Sequence, residues 1–261
     1  MIRSLWTAAT GMVAQQLEQD VIANNLANVN TVGFKKSRAD FQDLMYQLIT
    51  KSGSQTSAGN QLPAGIEVGL GVKPMASQKI FTQGDYQQTG NQFDFAIEGN
   101  GFFQIDNNGR TAYTRAGNFK INRDGILTNS EGLRLTPEVS APQGTVVFTV
   151  DSGGTWTASD STGGVLATGR IELANFMNPS GLTSLGRNLY DKTEGSGEPV
   201  TGNPGENGLG TVSQRYLEMA NVSVIDEMVK MIVGQRAYEI NSKSVQTADS
   251  MLGMINNLKR S

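Results

Sequence analysis

The feature that most constrains this chain lies near its C-terminus. From Asn221 to Lys259 there is no proline, glycine occurs only at 234 and 253, and Val224, Met231, Tyr238, Val245 and Leu252 recur every seven residues. Such a row is what a coiled-coil seam requires. The companion row Met228, Gln235, Ser242, Asp249 and Asn256 is mostly polar, while Ile225, Val229, Ile232, Ala248 and Ile255 widen the stripe on its flanks. A pattern this long exceeds an ordinary globular helix and favours packing between several chains. The other end is helical too. Ile2, Leu5, Trp6, Ala9, Met12, Val13, Leu17 and Val21 follow one another mostly at three- and four-residue steps, which predicts an amphipathic helix ending near Asn28 to Gly33.

Between these helices the texture is β. Phe93, Phe95 and Ile97 alternate, Gly101-Phe102-Phe103 follows a Gly-Asn-Gly turn, and Phe119 and Ile121 lead into the hairpin signal Asn122-Arg123-Asp124-Gly125. Short strands are also expected around Leu133 and Leu135, Val146 to Val150, and Ile171 to Leu173. The chain carries 31 glycines in 261 residues, and only 17% of its residues are charged. Average usage is roughly 7% and 25% respectively. Many tight turns in a compact antiparallel domain account for both values. Residues 51–73 and 194–210 have little periodicity and are expected to be loops. The expected class is therefore α+β, with long terminal helices forming a coiled-coil layer in an assembly and a central, mostly antiparallel β domain. The expected division is 1–33, 34–73, 74–215 and 216–261.

Composition removes several chemistries. With no Cys and no His, zinc sites built on those ligands, Ser-His-Asp triads and thiol nucleophiles are excluded. A net charge of -3 lacks the basic stripe of a nucleic-acid binder. No run approaches about 18 apolar residues, so no membrane span is expected. The first helix is broken by Thr7, Thr10, Gln15 and Gln16, unlike a cleavable secretory signal. Asp94 with Glu98, or Asp124 with Glu131, is a conceivable acid–base pair for a secreted carbohydrate-active enzyme. Each sits beside an apparent turn or exposed strand position and reads better as solvated. Gly99-Asn100-Gly101 and Gly69-Leu70-Gly71 lack the context of a nucleotide loop. Lys35 and Lys36 read as a solvated basic pair at a helix end. No catalytic residue, metal site or cofactor is expected. A cytosolic coiled-coil adaptor would explain the ends and leave the β domain unexplained.

Two stretches are more specific. Ile22-Ala23-Asn24-Asn25-Leu26-Ala27-Asn28-Val29-Asn30-Thr31-Val32-Gly33-Phe34-Lys35 resembles the N-terminal signature of flagellar rod and hook axial proteins. Gln235-Arg236-Ala237-Tyr238-Glu239-Ile240-Asn241-Ser242-Lys243 resembles the matching C-terminal motif. Gly99-Asn100-Gly101-Phe102-Phe103 and Tyr113-Thr114-Arg115-Ala116-Gly117-Asn118-Phe119 are similar to that family's middle domain. Within the family, Arg3 to Met12 and Asp43-Leu44-Met45-Tyr46-Gln47 are closest to the distal-rod branch. Proximal-rod and hook subunits are the alternatives.

The resemblance implies a helical homopolymer that forms a rigid hollow drive shaft, transmits torque to the hook and crosses the periplasm within the flagellar basal body. It implies export by the flagellar type III apparatus without a cleavable signal. Implied partners are proximal rod proteins, hook or hook–rod boundary proteins and the P- and L-ring bushing, with no nucleic acid and no membrane insertion. It also assigns subunit contacts to Leu5, Met12, Asn24, Asn25, Leu26, Asn28, Asn30, Gly33, Phe34, Val224, Met231, Tyr238, Val245 and Leu252. A rod-specific stiffening segment, about 46–73, would include Tyr46, Gly53, Leu62, Pro63, Gly65, Gly69 and Gly71.

Overall fold

A computed structural model of the chain describes residues 2–53 and 63–258. Two long helices, α1 (Ile2–Ala27) and α2 (Val224–Leu258), bracket a run of short strands. The chain divides into two compact units. One is made of the described residues within Met1–Leu26, Ser37–Gln78 and Val224–Ser261, and the other of Ala27–Lys36 with Lys79–Ser223. The sequence division at 33/34 and 73/74 therefore differs from the folded one. Residues 27–36 belong with the β unit, while 37–78 belong with the helices.

In the first unit α1 and α2 run antiparallel. Asn25 Nδ2 donates to Glu227 Oε2 at 3.1 Å. Further along, Gly234 faces Gln15 and Gln19, and Asn241 lies so close to Gly11 that an added Cβ would stand 3.0 Å from its Nδ2. As positions rise on α1 they fall on α2. The buried row of α2 is Glu227, Gly234 and Ala248, with Asn241 half-buried between them. This seven-residue row, shifted by one from the polar companion row expected above, consists mostly of small or hydrogen-bonding residues. Small side chains let two helix backbones approach, and that is why the bulky apolar positions are left outside. On α1 the buried positions are likewise Ala8, Ala14, Ile22 and Asn25, whereas Trp6 and Val13 are exposed.

The same unit holds two strand pairs. Ser37–Asp43 pairs with Val72–Lys79. Tyr46–Thr50 pairs antiparallel with Ile66–Gly69, in the register Tyr46 to Gly69 and Leu48 to Glu67. The span 51–73 is thus not one loop. Its second half contributes strands, because Ile66, Val68 and Val72 supply β-branched residues that the glycines around them mask in a periodicity count. Val200–Gly202 similarly interrupts the expected 194–210 loop by pairing with Leu173–Asn175.

The second unit is built on antiparallel strands. Phe102–Asn107 lies at its centre, bonded to Arg110–Thr114, to Arg134–Thr136 and, at its start, to Leu173–Asn175. Phe102 and Phe103 point to opposite faces, yet both are buried. One face is covered by the cluster of Phe95, Ile97, Phe119, Leu127, Phe148 and Trp156 around Phe103, and the other by Phe81, Tyr113, Phe176 and Tyr190 around Phe102. Apolar burial on both sides explains why Phe95–Glu98 is wholly buried as far as Ile97, where alternation predicted a half-buried strand. Two similar turns close the next hairpins. The Asn122 side chain accepts from the amides of Asp124 and Ile126, and Asn129 does the same for Glu131 and Leu133.

Candidate functional site

The residues just outside both helices converge within the β unit on one carboxylate. Glu218, fully buried, receives the Lys35 ammonium at 2.6 Å on Oε1 and the Arg115 guanidinium at 3.2 Å on Oε2. The Gly84 amide donates to Oε1 at 3.0 Å, and the Gly33 amide donates to the Glu218 backbone carbonyl at 2.8 Å. The cations have further acceptors. Lys35 Nζ donates to the Thr82 carbonyl at 2.7 Å, and Arg115 Nη2 to the Gly99 carbonyl at 2.7 Å. Arg115 also lies over the Phe102 ring, 5.4 Å from its centroid. Burial pulls both the Lys35 and Arg115 groups below their ordinary values, and the Glu218 charge opposes it.

Lys35 is therefore a buried ion-pair partner, which corrects the reading of Lys35 and Lys36 as a solvated pair. A cation reaches so dry a place only because a carboxylate from a distant part of the chain meets it there. Asn221 adds a second stitch, accepting from the Lys36 amide at 2.8 Å and donating to the Ile80 carbonyl at 2.8 Å. In the helical unit Asn25 does the same to Ser37, donating to its carbonyl at 2.9 Å and accepting from its amide at 2.8 Å. Asp94, taken from sequence as solvated, is buried and accepts from Asn91 Nδ2 at 3.0 Å.

The positions proposed for subunit contact fall into two groups. Asn25, Gly33 and Phe34 are buried within their own units. Gly33 has φ +69, and a Cβ there would strike the backbone of Ala116; Phe34 lies beneath the Lys79 ammonium, 5.0 Å from its ring centroid. Asn24, Asn30, Val224 and Tyr238 are exposed, and Leu5, Met12, Leu26, Asn28, Met231, Val245 and Leu252 are half-buried. Asn28 accepts from the Thr31 hydroxyl at 3.2 Å in the turn that ends α1.

The first half of α2 turns one apolar face outward. Ile225, Met228, Val229, Ile232, Val233 and Ile240 are each at least half exposed. In the segment expected to stiffen the rod, Tyr46, Gly53, Pro63 and Gly65 are exposed and Gly69 and Gly71 half-buried; Leu62 lies outside the described residues. The hairpin also exposes Leu48, Ile49 and Ile66, so apolar side chains stand on both of its faces.

Sequence reading missed Glu218, Arg115, Asn221 and Glu227 as determinants. Glu218 carried a faint signal, an acidic residue set among Leu217, Met219 and Ala220. Among the described residues no helix is long and apolar enough to cross a membrane, and no cluster of acidic side chains could hold a metal ion.

Three family models match the chain: Flagella basal body rod protein over residues 5–35, Flagellar hook protein FlgE/F/G D1 domain over 96–158, and Flagellar basal body rod FlgEFG protein C-terminal over 213–258. The Flagellar basal-body rod protein FlgG of Borreliella burgdorferi is 47% identical over 264 residues, covering 100% of both chains. That of Buchnera aphidicola subsp. Schizaphis graminum is 44% identical over 260 residues, covering 99% of this chain and 100% of its own. Among solved structures, the Helicobacter pylori flagellar hook protein FlgE2 matches with a TM-score of 0.25 and 15% identity, over 70% of this chain and 43% of that one.

The geometry makes two predictions. Glu218→Ala leaves two buried cations without their counter-charge and should destabilise the chain by about 3–5 kcal/mol in urea unfolding. A loss below about 1 kcal/mol would mean that Lys35 and Arg115 find other partners. The second concerns alkaline pH. Burial, aided by the Glu218 and Glu98 charges, pushes the Tyr86 phenol from its ordinary 10.0 up to about 12. The folded chain then holds that proton more tightly than the unfolded one, so this contribution is complete below pH 10.0 and is lost as pH rises through about 12. Tyr86→Phe should accordingly lose stability less steeply than the parent over that window.

Proposed function

Since this chain belongs to the flagellar basal-body rod protein family, we propose that it is a distal-rod subunit, polymerising helically into a rigid hollow shaft that carries torque from the motor to the hook. The observation that carries this reading is the outward apolar face of α2. A helix that buries small and polar residues against its own partner, and presents Ile225, Val229, Ile232 and Val233 to water, is arranged for neighbouring chains. Covering such side chains contributes about 1.5–3 kcal/mol each. The half-buried Met231, Val245 and Leu252 then form the edge of the seam, and Val224 and Tyr238 its exposed part.

The role is mechanical, with no catalytic step. Export runs through the flagellar type III apparatus, and the polymer crosses the periplasm within the basal body. Its neighbours are other copies of the chain, proximal rod proteins, the hook or hook–rod boundary proteins, and the P- and L-ring bushing. The hairpin of Tyr46–Thr50 and Ile66–Gly69, apolar on both faces, braces adjacent subunits and keeps the tube straight. An isolated two-stranded hairpin is marginal in water, and contacts from a neighbour supply what it lacks.

Electron microscopy of the concentrated protein tests both parts. The full chain should give straight tubes, and a version limited to residues 27–223, which keeps Lys35, Glu218 and Asn221, should give none. Tubes from the shortened chain would overturn the assembly role of the helices. The Leu44 amide donates to the Gly71 carbonyl at 2.8 Å, so residues 45–70 can be excised and the two ends bridged by a two-residue Asn-Gly turn. That chain should form tubes that bend, and unchanged straight tubes would refute the bracing role.

A further inference from the structure

A cleft of about 270 Å³ opens on the β unit between Tyr86 and Tyr216, with Glu98 and Ser213 completing its lining. Pockets for small molecules usually span roughly 300–1,000 Å³, so this one suits a single side chain better than an extended ligand. Two strand pairs build it. Tyr86–Gln88 pairs with Tyr216–Glu218, setting Tyr86 opposite Glu218 and Tyr216 opposite Gln88. Cross-strand partners share a face, so both tyrosines project to the side on which Glu218 is buried. Phe95–Glu98 pairs with Thr211–Gln214, setting Glu98 opposite Thr211 and Ser213 opposite Ala96, which brings Glu98 and Ser213 to one face.

Tyr86 and Tyr216 are 39% and 37% exposed, enough to offer ring surface to a guest. The Tyr86 hydroxyl donates to the Ile97 carbonyl at 3.1 Å, which holds its ring in place. Glu98 is exposed and makes no salt bridge among the described residues. Two aromatic walls beside an unpaired carboxylate are the chemistry of cation recognition. A ring's face attracts positive charge, and a guanidinium also stacks flat upon it.

We infer that this cleft receives one basic side chain, arginine or lysine, from a second copy of the chain. Charge complementarity supports that occupant. Lys120 and Arg123 are exposed on the β unit and make no salt bridge among the described residues. The assignment to a second copy rests on the polymer proposed above; the cationic character of the guest does not.

The test has two arms. With the full chain held too dilute to assemble, N-acetylarginine amide is titrated against tyrosine resonances, with N-acetylglutamine amide as the neutral control. The arginine probe should move Tyr86 and Tyr216, and Glu98→Gln should weaken it about three- to fivefold, the size of an exposed ion pair. Equal effects of the two probes, or no effect of Glu98→Gln, would overturn the cation site. In the second arm, the critical concentration for tubes should be higher by a similar factor in Glu98→Gln than in the parent, and that ratio should fall towards one when the medium is salted enough to screen the pair in the parent. A normal probe titration with an unchanged critical concentration would refute the second copy as occupant. Failure of the parent to form tubes would instead refute the polymer and with it this occupant, while the titration still decides the cation site.

Discussion

One carboxylate holds the entry and exit of the β unit together. Glu218 stands just before α2 and Lys35 just after α1, and neither is tolerable in the dry interior without the other. The Arg115 guanidinium, anchored to the Gly99 carbonyl, brings the centre of the β unit to the same point. A hydrophobic contact of equal area would hold these segments together too, but it would tolerate sliding. Charged hydrogen bonds at 2.6 and 3.2 Å fix direction as well as distance. For a rod subunit proposed to pass on a twist, a joint without slack is the useful property.

The helices show the opposite economy. Against each other they use glycine, alanine, asparagine and glutamate, keeping little apolar area for themselves. Several of their larger side chains, among them Trp6, Val13, Ile225, Ile232 and Val233, face outward, as though part of a core had been left for another molecule to complete. In the proposed polymer, the stability of the helical unit would rise with protomer concentration, as in assemblies whose parts fold fully only together.

Much of this was legible in the sequence. The helices announced themselves by period and by freedom from proline, and most hairpins by their Asn and Gly turns. Which face of α2 turns inward was not legible. The seven-residue repeat of Val224, Met231, Tyr238, Val245 and Leu252 suggests a seam between chains, whereas the row of Glu227, Gly234, Asn241 and Ala248, packed within the unit, has little hydropathy to announce it. Periodicity weighs side chains by how much they dislike water, so it overlooks a contact made by closeness of backbones. The Asn-rich motif was recognisable, but its division of labour was not. Asn25 imitates a neighbouring strand for Ser37, while Asn30 faces solvent. The partnership of Lys35 with Glu218 spans 183 residues, and no local signal encodes it.

The division of the chain has a mechanical corollary. It passes from one unit to the other at 26/27, 36/37, 78/79 and 223/224. Beads joined by a single thread share a strain badly, because the thread takes all of it. Here the chain itself crosses four times, so no single peptide bond is the sole covalent link between the units. A nick or stretch at any one crossing leaves three others to carry the load.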